Sequence, residues 1–560
     1  MIVGLDVGGT HADVVLLGTE GLVASAKVPT DADDLFHTVL RGLEKITAGV
    51  PPEDIHRIVL STTLTTNAIV QGQAPPVGMI VSGGPGIDPA LHRTNKHYFT
   101  VGGAIDHRGR IVEAVDPRSI KAIAKQLRRE GVRQVGVVGK FSVRNPVHEI
   151  EIARILGDDF DKVFLGHRVA GSLNFPRRIA TTYLNAAVHP VHQQFFNAVQ
   201  RSLAEKGLSV PIRILKADGG NMQFSASIDF PAQTALSGPA ASVMGSLAFA
   251  PDEEEALVFD IGGTTTDMAI LVNGVPLLDP TGIELGGYKT LIRALETHSI
   301  GMGGDSAVRV DNGTLKIGPE RLGPAMAYGG SVPTPTDAMF VLGMIRTEGR
   351  EAALAGISAL AAQLGLTAEE TAERVFDGAC RSIIDAAEAM VARVNSKPVY
   401  TVHEMLDGHT VKPRKILVLG GPALYFAHRL EELSGYKVGV IPRWKVANAI
   451  GAALARTTCE VTVFADTERG IATAPEENYT ENVGSRFSGE EAVQLAYRLL
   501  RDKAARLGGT AEAHEVEVVE NLQFNMVRGF YTSGKNIRVR VQVKPGLIQN
   551  YDPVAGRLTD

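Results

Sequence analysis

The chain predicts an α/β protein built from two similar halves, followed by a smaller α+β module. Three observations carry that expectation. The octet Asp6-Val-Gly-Gly-Thr-His-Ala-Asp13 recurs as Asp260-Ile-Gly-Gly-Thr-Thr-Thr-Asp267, so both copies read D-x-G-G-T-x-x-D. Each copy is flanked by strand-like runs, Met1–Leu5 and Val14–Leu17 around the first, Ala256–Phe259 and Met268–Leu271 around the second. Strand-like and helix-like periodicities then alternate to about residue 460, and the pattern changes from about Val461.

The chemistry of the octet favours phosphate. Adjacent glycines permit positive φ and close backbone approach, so such a turn can aim N–H groups at an anion. The threonine adds a hydroxyl donor. An aspartate at a strand end suits a hard cation such as Mg²⁺, held through water. Dinucleotide and P-loop signatures need a helix after the glycines. Here a β-type run follows, which puts the glycines in a hairpin. One copy alone reads equally well as an ordinary Gly-Gly hairpin. Two copies with matching Asp and Thr favour one shared ligand, most simply a nucleotide with its metal.

At 560 residues the chain is long enough for two to four domains. A net charge of -6 without basic runs argues against nucleic acid as a partner. Cys380 and Cys459 offer neither metal spacing nor a disulfide framework. His97, His107, His148 and His298 lack metal-ligand spacing as well, so no zinc site is expected, and His11 reads as an exposed turn residue. No apolar run approaches the ~20 residues that span a bilayer. The N-terminus opens directly into a strand without signal-peptide regions. These features predict a cytoplasmic protein with no membrane partner.

The elements follow in order. After the first hairpin the pattern predicts a helix over Asp33–Thr47, a strand at Ile55–Leu60, and a helix opening in the polar run Ser61–Asn67. Strands at Val77–Val81 and Val135–Val138, with a helix over Pro117–Glu130, form an α/β insert or continuation. Ile179–Arg201 is helical and carries the small-residue patch Asn185-Ala186-Ala187. A second α/β unit is expected to begin near Ile212. Helices fill Arg350–Arg393, and Lys415–Leu419 is a strand ending in Gly420-Gly421-Pro422, followed by a helix to about Leu433. Ala447–Leu454 is a helix of small residues. The last module holds an amphipathic helix over Gly489–Leu507 and strands at Glu515–Val519 and Ile537–Val543, with an irregular tail after Pro545. The expected domains are 1–178, 179–460 and 461–560.

Hairpin, small-residue helix, second hairpin, strand–Gly-Gly–helix and second small-residue helix form an ordered set. That set resembles the actin, sugar-kinase and heat-shock ATPase superfamily. The resemblance implies two ribonuclease-H-like, actin-like ATPase domains around an interdomain nucleotide cleft. It also implies that Gly420 and Gly421 lie against adenosine, and that helices near Ile179–Phe196 and Ala447–Arg456 cross to form a hinge. Longer stretches narrow the family: Ala217-Asp218-Gly219-Gly220, Thr234–Ser242, Gly301–Ser306 and Thr334–Ala338. With Thr62-Thr63, Asn67 and Asn145–Glu149, they are similar to the hydantoinase A/5-oxoprolinase family, which includes the acetone carboxylase ATP-using subunit. Departures fall on the substrate side. Leu60-Ser61 stand where the family has His-Gly, Gly84-Pro85-Gly86-Ile87 replace Gly-Phe-Arg-Asp, and a triple glycine reads Gly303-Gly304-Asp305. The C-terminal module is shorter than in typical hydantoinase subunits.

The resemblance implies MgATP-dependent phosphorylation of a carbonyl or amide oxygen in a small cyclic amide. Asp6 and Asp260 would hold Mg²⁺ through water, and Gly8, Gly9, Thr10, Gly262, Gly263, Thr264 and Thr265 would bind phosphates. Gly303, Gly304 and Asp305 would reach the nucleotide. Asp13 and Asp267 would either orient water or metal or cap their own turns. Asp218 would either act as base or substrate-orienting carboxylate, or close an Asx-turn. Implied partners are a small-molecule substrate and a hydantoinase B-like second subunit or another partner enzyme; self-association is a further option. A small-molecule kinase and a chaperone-like ATPase acting on a partner enzyme are the alternatives. The first would release a phosphorylated product; the second would be stimulated only by its protein partner.

Overall fold

The computed structural model describes residues 1–560 except 9–10, 32–33, 73, 250–254, 280, 397–409, 510–514 and 549–560, and the side chain of Arg528. Gly9, Thr10, Asp33 and most of the expected tail therefore lie outside the described residues.

Two sheets share one topology. In the first, Ile2–Val7, His11–Gly18 and Gly21–Pro29 run antiparallel, and Arg57–Thr62 and Ile212–Leu215 add in parallel on the other side. In the second, Ala256–Ile261, Thr266–Val272 and Val275–Pro276 run antiparallel, and Lys415–Leu419 and Lys437–Val440 add in parallel. Three antiparallel strands followed by two parallel ones, twice over, make a pair of ribonuclease-H-like domains. The octet repeat is thus the local trace of a repeated domain.

Both faces of these sheets are covered, which explains the near-continuous apolar runs of their central strands. One face of the first sheet packs Val3, Leu5, Val14 and Leu16 against Leu43, Phe195 and Val199. Its other face packs Ile2, Val15, Leu17 and Val59 against Ala449, Ile450 and Ala453. In the second sheet Leu257, Phe259 and Ile270 meet Phe376, Ile383 and Phe426. Its opposite face packs Val258, Ala269 and Leu271 against Ala240, Ala241, Met244, Ala447 and Ala452. Burying each of the Val, Leu, Ile and Phe side chains contributes roughly 1.5–3 kcal/mol relative to exposure.

The helices Ser237–Leu247 and Ala447–Leu454 therefore lie between the two sheets, packed on each other. Their backbones are too close for side chains. A Cβ on Gly451 would sit 2.1 Å from the Ala241 carbonyl, one on Gly245 2.2 Å from the Ala447 carbonyl, and one on Gly4 2.2 Å from the Ala449 carbonyl. This pair corrects the hinge expected at Ile179–Phe196. That segment belongs to Phe175–Glu205, which packs on Leu35–Thr47 and on strands Val77–Ser82 and Gln134–Gly139. Its small patch serves local bonding: Asn185 donates to Thr181 O at 2.8 Å and accepts from Ala232 N at 3.1 Å. The second α/β unit also does not begin near Ile212. Ile212–Leu215 pairs with Arg57–Thr62 and, with Asn221–Gln223, completes the first sheet.

An insert of four parallel strands, Lys162–Leu165, Gln134–Gly139, Val77–Ser82 and Tyr98–Val101, hangs from the first domain. The C-terminal residues form a five-stranded antiparallel sheet covered by the helix Gly489–Arg506, whose Ser488 and Glu491 make a capping box. Its two long strands are Val516–Arg528 and Tyr531–Val543, and Glu460–Asp466, Ile471–Ala474 and Tyr479–Asn482 complete it. No single described helix is long and apolar enough to cross a membrane.

Candidate functional site

The described residues of both octets close a hairpin. The Gly8 N–H donates to His11 O at 3.1 Å, and the Gly262 N–H donates to Thr265 O at 2.8 Å. Residues directly opposite in an antiparallel pair share a face, and the register sets Asp6 against Asp13 and Asp260 against Asp267. Each octet therefore presents two carboxylates together at one sheet end.

The helix Ala447–Leu454 joins the copies. Asn448 is the polar residue in that run of small apolar ones, and its Nδ2 donates to Asp6 Oδ2 at 3.4 Å and to Asp260 Oδ2 at 3.3 Å. From the facing helix, Ser242 Oγ donates to Asp260 Oδ2 at 2.5 Å. The two aspartates expected to share a metal thus share one amide donor. Asn448 and Ser242 are the residues bonded to these aspartates that the motifs did not include. Asn448 had a signal, a lone amide in an otherwise apolar helix.

Other expected residues gather around the second octet. The Gly304 N–H donates to Gly262 O at 2.9 Å, and the Asp305 N–H to Gly263 O at 2.7 Å, which docks the Gly301–Ser306 loop onto the turn. A Cβ on Gly303 would sit 2.5 Å from Gly262 O. Thr336 secures the loop through its hydroxyl, which donates to Gly304 O at 2.7 Å. Asp305 pairs with Arg321 at 3.0 Å. Gly420, at φ +96°, lies against Asp260: its missing Cβ would be 2.5 Å from Asp260 Oδ1. Gly421 faces open space, and Thr264 is exposed while Thr265 is half-buried. Gly262, Gly263, Gly303, Gly304, Asp305, Gly420 and Asp260 are thereby brought together, with Gly8 and Asp6 across the helix pair.

The carboxylates carry excess negative charge. Burial pushes Asp6 up from 3.8 to about 6, Asp13 and Asp260 push the same way, and the Ser61 and Asn448 donors oppose them. Burial likewise raises Asp267 to about 6, aided by the charge of Asp260. Asp260, Asp13 and Asp305 are raised by burial too, although Lys27 at 3.0 Å partly relieves Asp13. Asp6 Oδ1 is buried without a hydrogen-bond partner. An orphaned carboxylate oxygen among crowded carboxylates fits a divalent cation. No described group of three His, Cys, Asp or Glu side chains could cage a metal, so a cation here would keep waters and take phosphate oxygens, as Mg²⁺ does.

Asp218 lies apart from this assembly. It is 2% exposed and bonded to Lys216 Nζ at 3.1 Å, Thr458 Oγ1 at 2.8 Å and its own Gly220 N–H at 3.0 Å, with Arg293 at 3.6 Å. Burial alone would push its carboxyl up, but Lys216 and Arg293 outweigh burial and hold it below the ordinary range. An anion so fully satisfied is a poor proton acceptor. Of the roles expected for Asp218, the bonds in the structure are those of the Asx-turn. Asp218 closes the Asx-turn and anchors the chain at Thr458, where the C-terminal sheet begins.

The hydantoinase/oxoprolinase N-terminal region model matches residues 2–159, and the hydantoinase/oxoprolinase model matches residues 178–461. The chain belongs to the hydantoinase/oxoprolinase family. A similar relative in this family is the caprolactamase subunit alpha of Pseudomonas jessenii, 26% identical over 80% of this chain and 68% of that protein. Another is the acetophenone carboxylase gamma subunit of Aromatoleum aromaticum, 28% identical over 62% of this chain but 53% of that protein. The 5-oxoprolinase of Saccharomyces cerevisiae is 28% identical over 43% of this chain, which spans only 19% of that longer protein. Among solved structures, the ATP-dependent caprolactamase of Pseudomonas jessenii aligns with a TM-score of 0.70 at 20% identity, covering 98% of this chain and 88% of that one. Nucleotide-free acetone carboxylase aligns with a TM-score of 0.70 at 17% identity and the same coverages. These two likenesses show the fold.

Proposed function

We propose that this hydantoinase/oxoprolinase-family chain uses MgATP to activate the carbonyl oxygen of a small cyclic amide so that water can open the ring. The observation that carries the reading is the single amide of Asn448 shared by Asp6 and Asp260, which makes one site from two hairpins. The family relatives named caprolactamase and 5-oxoprolinase support an amide substrate. Those named as subunits support a second polypeptide, such as a hydantoinase B-like chain.

In this reading the turn amides of Gly8, Gly9, Gly262 and Gly263 and the hydroxyls of Thr10, Thr264 and Thr265 bind phosphate oxygens. Mg²⁺, when bound, neutralises phosphate charge and is held through water by Asp6 and Asp260. Asp13 and Asp267, opposite them in register, orient bound water. Gly303 and Gly304 set the loop that carries Asp305 to the nucleotide, and open Gly421 beside Gly420 receives the adenosine. Transfer of the γ-phosphoryl to a carbonyl oxygen converts a poor electrophile into one that water attacks. The C–N bond breaks as the amine takes up a proton, leaving an acyl phosphate, and a second water hydrolyses that to carboxylate and phosphate. The protein supplies position and charge neutralisation, the main terms in phosphoryl transfer. Movement of the two sheets about the helix pair would close the site against water.

The deciding assay screens lactams, hydantoins and 5-oxoproline for substrate-dependent release of ADP and phosphate, with and without a co-purified partner. Ring-opened product formed in step with ADP supports the reading. A stable phosphorylated small molecule indicates a kinase instead, and ATP turnover stimulated only by a protein indicates a chaperone-like role.

A further inference from the structure

The two half-sites repeat their carboxylates but not their cations. In the first sheet the register runs from Asp6 to Asp13 and on to Lys27 of the third strand, so the three residues form one row. In the second sheet the same row runs from Asp260 to Asp267 and on to Ser299. Two residues along from Asp13, Val15 packs against Ala449 and Ile450, so strand alternation puts the row of Lys27 on the face that bears the helix pair.

Lys27 Nζ lies 3.0 Å from Asp13 Oδ1 and donates to Asp13 Oδ2 at 3.2 Å. Among the described residues it is the one cation that pairs with any of the four octet carboxylates; Arg321 pairs with Asp305 instead. Its charge acts on both halves, opposing the effect of burial at Asp13 and again at Asp260. The Lys27 side chain is 56% exposed, whereas that of Asp13 is 15% exposed, so the ammonium head is open to the cleft. A carboxylate has two oxygens and an ammonium three N–H donors, which leaves at least one donor of Lys27 unused by Asp13. A polyphosphate brought among these carboxylates adds negative charge, and positive charge at the end being transferred is what lowers the barrier.

We propose, resting on the MgATP reading above, that Lys27 is a catalytic residue of the phosphoryl transfer, its ammonium binding the γ-phosphoryl group while Asp13 still holds it. In that step the bond from the γ-phosphorus to the oxygen bridging the β-phosphate breaks, and its electron pair leaves with ADP. A bond forms from the phosphorus to the substrate carbonyl oxygen. Lys27 gives up no proton; it neutralises negative charge on the transferred oxygens throughout. Asp13 is the tether that aims it. Ser299, neutral at the matching place in the second row, cannot do the same.

The test uses the full chain and calorimetric titration with two probes, MgADP and the Mg²⁺ complex of the β,γ-imido analogue of ATP. Only the second presents a γ-phosphoryl group. Lys27→Gln is expected to weaken binding of the imido analogue about tenfold or more and to leave MgADP within about twofold of wild type. Lys27→Arg keeps the charge and should recover most of the lost affinity. Lys27→Met keeps the apolar stem and carries the test if the glutamine variant fails to fold. Equal loss for both nucleotides, or no loss for either, overturns the role of Lys27 and leaves the MgATP reading standing. A wild-type chain that binds neither nucleotide overturns both.

Discussion

Replacing Asp6 with Asn keeps its shape and removes its charge, and the surroundings predict a variant that is more stable yet impaired. Asp6 is 8% exposed, its carboxyl is raised from 3.8 to about 6, and burial is the main cause. A gap of about two units corresponds to ~3 kcal/mol spent keeping the carboxylate ionised in the folded state at neutral pH. The sign follows from proton uptake. Between 3.8 and about 6 the folded state binds more protons than the unfolded one, so stability falls as pH rises through that window and the full penalty applies above it. Asp6→Asn is therefore expected to raise the urea midpoint at pH 7.5 by an amount worth about 1–3 kcal/mol, since some neighbouring donors will not re-pair. The gain should vanish near pH 3.5, where wild-type Asp6 is protonated in both states. Calorimetric titration at pH 7.5 should show weakened MgATP binding in the same variant. A variant destabilised at pH 7.5, or one with undiminished MgATP affinity, would refute the reasoning.

Three further outcomes follow from particular contacts. Gly451→Ala places a methyl against the Ala241 carbonyl and the Gly245 N–H at about 2 Å, so it should cost at least ~1–3 kcal/mol of stability by denaturant titration. Asp218→Ala strands Lys216 and Arg293 in a buried site and should destabilise the protein by about 3–5 kcal/mol. Any variant population that remains folded should still bind and turn over MgATP, whereas retained binding with lost turnover would return Asp218 to a catalytic role. Lowering the pH through about 6 protonates Asp6 and Asp267, so Mg²⁺-dependent ATP affinity should fall across that range; a flat profile from pH 7.5 to 5 would contradict the metal assignment.

The hairpins were legible because their signal is local: glycines, flanking strands and paired aspartates all lie within one octet. Even the cross-strand match of Asp6 with Asp13 follows from octet length and turn. Sheet membership was less legible. Ile212–Leu215 reads as the start of a new unit, yet it adds to a strand more than 150 residues earlier. The first interdomain helix was hidden because Ser237-Gly238-Pro239 looks like a turn, although Pro suits the first turn of a helix. Asn185-Ala186-Ala187 had the right composition in the wrong helix, since small residues also serve packing within one domain. Asp218 sits in an Asp-Gly-Gly turn that looks the same whether it binds substrate or braces the fold. Its partners Arg293 and Thr458 are distant in sequence, so only the folded chain distinguishes the two roles.

The central claim is that both hairpins hold one metal–nucleotide complex. A double-mutant cycle on MgATP affinity, using Asp6→Ala, Asp260→Ala and the double variant, tests it most directly. Two aspartates acting on one ion should be coupled, so the double variant should lose less than the summed single effects by at least ~0.5 kcal/mol. Strictly additive losses, or a single variant that binds MgATP like wild type, would contradict the account.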